Sequence, residues 1–264
     1  MSPLSSVKVH LSPRQDRIID RARRDGFVTV EGLAVDFDVT PQTIRRDLNF
    51  LCDNALLRRH HGGAALPSSV ENVSYDARQI MNHGGKRSLA RDLAEFIPDK
   101  ASLFINIGTT TEEVAKALLG HRELRVITNN LNVASILAAN PDFEVIIAGG
   151  YVRSRDRGVI GEATIDFIGQ FKVDFAIIGI SGIDEDGALL DYDYREVRVA
   201  QAIVRNAREV LLVADHTKFE RRPMVRLGEA TEIDHLFTDH ILSENMKDVF
   251  KSANVTVHLS EPEV

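Results

Sequence analysis

The 264-residue chain contains one cysteine, Cys52, so no disulfide can form within it; the thiol is expected to pack in a reducing compartment rather than cross-link. No apolar run approaches the length of a membrane span and no signal-peptide pattern opens the chain, so a soluble, cytoplasmic protein without a membrane partner is expected. No His/Cys cluster has metal-ligand spacing, no G-x-S-x-G elbow occurs, and the Gly108-Thr109 turn lacks the lysine of a P-loop. These absences set aside metal and nucleotide chemistry, and neither a cofactor nor a catalytic residue is expected. Positive charge is also scarce: 32 Lys and Arg face 39 Asp and Glu, a net charge of −7. In a single unit that balance would argue against nucleic acid. The charge is unevenly spread, however. Residues 1–65 hold 10 Lys and Arg against 8 Asp and Glu, the remainder 22 against 31, leaving a head of +2 and a body of −9. The length and the 44% hydrophobic content suffice for one small domain and one larger one.

The head carries the most informative stretch, Thr40-Pro41-Gln42-Thr43-Ile44-Arg45-Arg46-Asp47-Leu48. Thr40 is suited to cap a helix and Pro41 to its first turn. Ile44, Leu48 and Leu51 form an apolar stripe, while Gln42, Arg46 and Asn49 repeat the spacing on the opposite side, flanked by Arg45. Donors on that outer face suit base edges and phosphates. Helices are predicted over Arg14 to Arg24 and over Thr29 to Phe37, and Asp38-Val39 gives the tight connection of a helix-turn-helix. Beyond it, Arg58-Arg59-His60-His61-Gly62-Gly63 reads as a β-hairpin wing whose basic cluster faces phosphates or the minor groove. The candidate DNA contacts are Thr29, Thr40, Gln42, Thr43, Arg45, Arg46, Asn49, Arg58, Arg59, His60 and His61.

A Pro/Ser-rich stretch divides the chain into a head at 1–66, a linker at 67–76 and a body at 77–264. A helix is predicted over Arg87 to Ile97, with Gly84-Gly85 breaking or bending whatever helix arrives from Tyr75. Strands are predicted at Ser102 to Ile107, Arg125 to Thr128, Glu144 to Ala148, Phe175 to Ile180, Val210 to Ala214, His235 to Thr238 and Val255 to Leu259. Helices between them cover Glu112 to Leu119, Leu131 to Ala138, Ile165 to Gln170 and Glu196 to Asn206. This alternation predicts an open, mostly parallel sheet with its ligand outside the carboxyl ends of the strands. At those ends Gly108, Thr109, Thr110 and Thr111 read either as a phosphate cradle at a helix start or as a plain cap. Asn129 and Asn130, then Gly150 and Arg153, and later Gly182, Asp215 and Lys218 complete the candidate ligand set. His216 reads as structural, and Asp184 to Gly187 as a turn.

With these residues assembled, the chain resembles the DeoR-type bacterial transcriptional repressors over nearly its full length. The likeness is carried by the Thr40 to Leu48 and Arg58 to Ala64 segments in the head. In the body it is carried by Ile107-Gly108-Thr109-Thr110, Thr128-Asn129-Asn130, Ala148-Gly149-Gly150, Arg153, Gly161-Glu162, Gly179-Ile180-Ser181-Gly182 and Asp215-His216-Thr217-Lys218-Phe219. The resemblance implies an α/β protein: an N-terminal winged helix-turn-helix domain, then a larger α/β sensor domain with a mostly parallel sheet, similar to ribose-5-phosphate isomerase. It further implies a homo-oligomer, dimer or tetramer, that leaves operator DNA when a phosphorylated metabolite binds. Likeness at Arg58 to Ser69, Arg153 to Asp156, Gly161 to Ala163 and Asp193 to Arg198 points to the branch governing glycerol metabolism, which implies glycerol 3-phosphate as effector. Relatives usually carry a Glu or similar helix former at Gly32 and a Glu-Lys pair at Gly85-Lys86. The rival reading is a sugar-phosphate isomerase or deaminase with an appended DNA-binding domain, in which Asp184, Asp186, Asp215 and Lys218 would supply acid, base and cation.

Overall fold

Two units divide the chain, residues 1–81 and 82–264, and the computed structural model describes residues 11–25, 27–54, 56–60, 62–65, 75–80, 82–219 and 221–261. In the first unit the order is α1 (Pro13–Asp25), β1 (Phe27–Thr29), α2 (Val30–Asp36), α3 (Pro41–Asp53), β2 (Arg58–His60), β3 (Gly63–Ala65) and α4 (Tyr75–Ile80). Ile44, Leu48 and Leu51 on one side of α3 are fully buried with Ile18, Leu33 and Leu57. At about 1.5–3 kcal/mol for each large apolar side chain, this stripe decides which way α3 turns. Asp38, at φ 51, makes the turn between α2 and α3. The expected wing forms as an antiparallel β2–β3 hairpin, but the Phe27-Val28 stretch also joins it, since β1 pairs with β3. His61 and the stretch 66–74, most of the expected linker, lie outside the described residues; Tyr75 and Asp76 already belong to α4.

The second unit runs α5 (His83–Phe96), β4 (Ser102–Ile105), α6 (Thr109–Ala117), β5 (Arg125–Thr128), α7 (Leu131–Leu137), β6 (Glu144–Ile147), β7 (Tyr151–Arg153), β8 (Gly158–Ile160), α8 (Glu162–Ile168), β9 (Val173–Gly179), β10 (Gly182–Ile183), β11 (Ala188–Asp191), α9 (Tyr194–Arg205), β12 (Ala207–Val213), β13 (Val225–Glu229), β14 (His235–Thr238), α10 (Glu244–Ser252) and β15 (Thr256–Leu259). The seven predicted strands form one sheet in the order β6-β5-β4-β9-β12-β14-β15, with every neighbour parallel. Both faces are covered. Leu103, Ile105, Leu211 and Val213 pack with Leu89, Val114 and Val133, while Phe104, Leu212 and Leu236 pack on the other side with Ile168, Val197 and Phe250. Double burial is why the inner strands read as largely apolar runs, whereas the edge strands β6 and β15 keep exposed residues. The strand order reverses between β4 and β9, the switch point where a crevice opens at the carboxyl ends.

Several elements differ from expectation. Helix α5 starts at His83 and carries Gly84-Gly85 in its first turn; the interruption comes one residue earlier, at Asn82, which is left-handed. Helix α8 starts at Glu162 rather than Ile165, because Gly161 at φ 114 ends the preceding strand and opens the helix there. The antiparallel β7–β8 hairpin, the β10–β11–β13 sheet and α10 were not anticipated. Among the described residues no helix is long and apolar enough to cross a membrane.

Candidate functional site

Helix α3 is built as the spacing predicts. Thr40 accepts the Thr43 backbone N–H at 3.3 Å, and its hydroxyl lies 3.0 Å from that of Thr43. Gln42, Arg45, Arg46 and Asn49 are exposed, opposite the buried Ile44 and Leu48. Arg45 makes only a loose contact with Glu31, at 3.9 Å. Asp47, between them in sequence, is buried: it accepts Arg14 Nε at 2.6 Å and Gln15 Nε2 at 3.2 Å. That junction fixes how α3 is rotated on α1, a task that nothing in the sequence around Asp47 announces. Thr29, exposed, caps α2 by accepting the Gly32 N–H at 3.0 Å. Arg58 and Arg59 are exposed on β2, followed by His60. Cys52 is half-buried on α3, and burial raises its thiol pKa above the usual range.

In the second unit, the ends of the two strands that meet at the switch point are tied together. Asn106, buried after β4, accepts the Gly179 N–H at 3.0 Å and so ties the ends of β4 and β9. Gly108 begins α6 with no side chain capping it, and Thr109 and Thr110 are buried in the first turn. The Thr111 hydroxyl turns inward, donating to the carbonyl oxygens of Asn106 and Gly108 at 2.9 and 2.8 Å. Asn130 caps α7 through Oδ1 and donates Nδ2 to the buried Glu112 at 3.2 Å. Its neighbour Asn129 is 2% exposed; Nδ2 donates to the Val159 carbonyl at 3.0 Å, and Oδ1 is buried without a hydrogen-bond partner. An orphaned buried acceptor carries a penalty of about 1–3 kcal/mol until a donor reaches it. Gly150, at φ +153, has no room for a side chain: a Cβ would stand 2.1 Å from the Thr164 hydroxyl and 2.8 Å from the Ile160 carbonyl oxygen.

Asp215 is 1% exposed at the end of β12, where it accepts the Thr217 N–H and hydroxyl at 3.0 and 2.5 Å. Burial pushes its pKa up, but the charges of Lys218 and Lys86 outweigh that and keep the carboxyl below its ordinary value. Both lysines are buried, at 9% and 2% exposure. Lys86, from the first turns of α5, lies outside the ligand set expected from sequence, since one lysine in a helix gives no signal until the fold buries it.

Arg153 is arranged differently from the expected phosphate ligand. It is buried, with Nε and Nη2 on Asp156 at 2.8 and 2.5 Å, Nη1 on Asp193 at 2.9 Å, and Nη2 also on Glu196 at 2.5 Å. Three carboxylates therefore occupy this guanidinium, which fastens the β7–β8 hairpin to the start of α9. Burial and the neighbouring Asp191 push Glu196 up to about 7 against the pull of Arg153. Burial acts the same way on Asp193, but hydrogen bonds from Arg195 and Arg153 bring it down to about 2. Gly182 is buried and pairs with Leu190 across β10 and β11. Among the described residues no group of three His, Cys, Asp or Glu is arranged to hold a metal. A groove of about 410 Å³ lined by Arg91, Glu95, Asp99 and His121 lies beyond the amino ends of β4 and β5, opposite the end where such sheets bind ligands.

Residues 14–70 match the family described as "DeoR-like helix-turn-helix domain", and residues 81–240 that described as "DeoR C terminal sensor domain". The chain is 53% identical over 230 residues to the glycerol-3-phosphate regulon repressor of Haemophilus influenzae, covering 87% of this chain and 90% of the relative. It is 54% identical over 226 residues to the glycerol-3-phosphate regulon repressor of Escherichia coli, with 86% and 90% covered. The HTH-type transcriptional repressor CsqR of Escherichia coli is 38% identical over 258 residues, 98% and 99% of the two chains. Among solved structures, ribose 5 phosphate isomerase A from Neisseria gonorrhoeae aligns over 54% of each chain at 14% identity, with a TM-score of 0.36.

Proposed function

The chain belongs to the DeoR family of helix-turn-helix transcriptional regulators, and from that premise we propose that it represses genes of glycerol metabolism until a phosphorylated metabolite, glycerol 3-phosphate, releases it from operator DNA. The relatives above 50% identity carry the name of glycerol-3-phosphate regulon repressors, which favours this reading over a sugar-phosphate isomerase or deaminase. In the head, Gln42, Thr43, Arg45, Arg46 and Asn49 read base edges from α3, while Thr29, Thr40, Arg58, Arg59, His60 and His61 meet the backbone. Arg45 and Arg46 on α3 and Arg58 and Arg59 on β2 are exposed cations of the head.

The single observation that carries the sensor reading is the pair of buried lysines, Lys86 and Lys218, beside Asp215 at the carboxyl end of a parallel sheet. A phosphate would take the backbone N–H groups of Gly108, Thr109 and Thr110 at the start of α6 together with those two ammonium groups. The unpaired Asn129 Oδ1 and the ionised Asp215 would accept the polyol hydroxyls. Thr111, Asn130, Gly150, Gly182 and Arg153 shape the walls of the crevice rather than contact the effector, because their polar groups are spent within the protein or they have none to offer. Binding that favours the operator-incompetent arrangement lowers operator affinity, with no bond made or broken.

Operator binding titrated by mobility shift with and without glycerol 3-phosphate tests the proposal. The parent should lose operator affinity by about tenfold or more with the effector. Lys218→Ala should bind operator equally well and respond weakly. Full release of the variant would remove Lys218 from the site, and a parent indifferent to glycerol 3-phosphate would reject the effector.

A further inference from the structure

Asn82 is the first residue of the second unit and holds a left-handed backbone, φ 47 and ψ 41, directly ahead of α5. Asparagine enters that region more readily than other residues that carry a side chain. Its side chain makes no cap for α5. Instead Nδ2 donates to Asp239 Oδ2 at 2.9 Å and lies 3.4 Å from His216 Nδ1. Asp239 follows β14, and its other oxygen accepts the His216 backbone N–H at 2.6 Å, while Oδ2 also lies 3.1 Å from His216 Nδ1. One carboxylate thus gathers the entry of the chain, the turn after β12 and the end of β14.

This cluster is wired to the buried lysines by position alone. Lys86 stands four residues after Asn82, one helical turn along α5. His216 is bonded in sequence to Asp215 and two residues from Lys218. Gly85 shows how closely the parts are fitted: a Cβ there would come within 2.5 Å of both Asn82 Nδ2 and Asp239 Oδ2. Gly84, the adjacent glycine, has nothing within 4 Å of the same added atom. Gly84 is a matter of helix propensity, Gly85 a condition for the cluster to close.

We propose that Asn82, His216 and Asp239 form a clamp of positioning residues that transmits effector occupancy to the segment of chain leading from the DNA-binding head, with Gly85 as the space it requires. The clamp rests on the reading of Lys86, Lys218 and Asp215 as the effector site. A ligand that draws on Lys86 or Lys218 shifts atoms one turn from Asn82 and two residues from His216. With the clamp closed, that shift moves the chain entry; with it open, the shift stays local.

The test uses the full-length chain in four variants: Asn82→Ala, Asp239→Asn, Gly85→Ala and Gly84→Ala. Glycerol 3-phosphate affinity is read by calorimetry, and operator affinity by mobility shift with and without that ligand. All four should bind operator in its absence within about twofold of the parent and bind glycerol 3-phosphate within about threefold. The drop in operator affinity on adding the ligand should shrink about fivefold or more in the first three and stay unchanged in Gly84→Ala. Asn82→Ala and Asp239→Asn releasing like the parent, or Gly85→Ala and Gly84→Ala behaving alike, would overturn the clamp while leaving the effector site standing. A parent that binds no glycerol 3-phosphate would overturn both.

Discussion

Arg46 and Asp47 are neighbours in sequence with opposite tasks. Arg46 is exposed on the outer side of α3, and Asp47 is buried against Arg14 and Gln15. Arg46→Ala should therefore leave the melting temperature unchanged and weaken specific operator binding by about 1–3 kcal/mol, the worth of a good base contact. Asp47→Ala should do the reverse in kind. It removes the acceptor of two side chains in a half-buried junction, lowers the stability of the head by about 1–2 kcal/mol, and weakens operator binding only through that loss. Melting curves and mobility shifts on both variants separate the two roles, and matched behaviour would mean that burial does not sort function on this helix. The spacing of Ile44, Leu48 and Leu51 made the orientation of α3 legible from sequence. The Asp47 junction was not, because its partners lie more than thirty residues away in α1.

At the scale of elements, the inner strands of the parallel sheet, β4, β5, β9, β12 and β14, were legible because each is buried on both faces over most of its length, while the edge strands β6 and β15 are largely exposed. The β7–β8 hairpin was hidden because Tyr151 and Val152 are exposed while Arg153, a charged residue, is the one buried. Periodicity cannot announce a strand whose inward residue is an arginine. For the same reason Arg153 read as a ligand for phosphate: its three carboxylate partners come from Asp156 and from α9, forty residues on. Lys86 was illegible in the same way, since only the fold brings it to Asp215. The junction of this hairpin with α9 carries a pH dependence of definite sign. Glu196 sits at about 7, above its ordinary value of 4.5, so its favourable share of stability is complete below that ordinary value and is lost as pH rises through 7. Asp193, held at about 2, contributes in the opposite sense: its share is complete above its ordinary value of 3.8 and is lost as pH falls through 2. Glu196→Gln should accordingly shrink the fall in melting temperature between about pH 5 and about pH 8 by a few degrees. Parallel pH profiles for parent and variant would show that Glu196 does not titrate in this interval.

Across the whole molecule, effector and operator must oppose each other equally. If glycerol 3-phosphate weakens operator binding by a given factor, saturating operator must weaken glycerol 3-phosphate binding by that factor, which calorimetry on free and operator-bound protein can check. Because that reciprocity is required at equilibrium, an effect measured in one direction only would mean that one of the two titrations had not reached equilibrium. Charge is partitioned in the same spirit, with a head of +2 and a body of −9. Operator affinity should fall as salt rises, because only the head exchanges counterions with the duplex. The position of Cys52 adds one practical consequence. It is the sole thiol in the sequence, half-buried on α3 and held in its unreactive protonated form by burial. A maleimide or disulfide reagent added to the native protein therefore reports breathing of the reading helix and nothing from the other unit, so the rate of alkylation becomes a clock for how operator and metabolite tighten or loosen that helix.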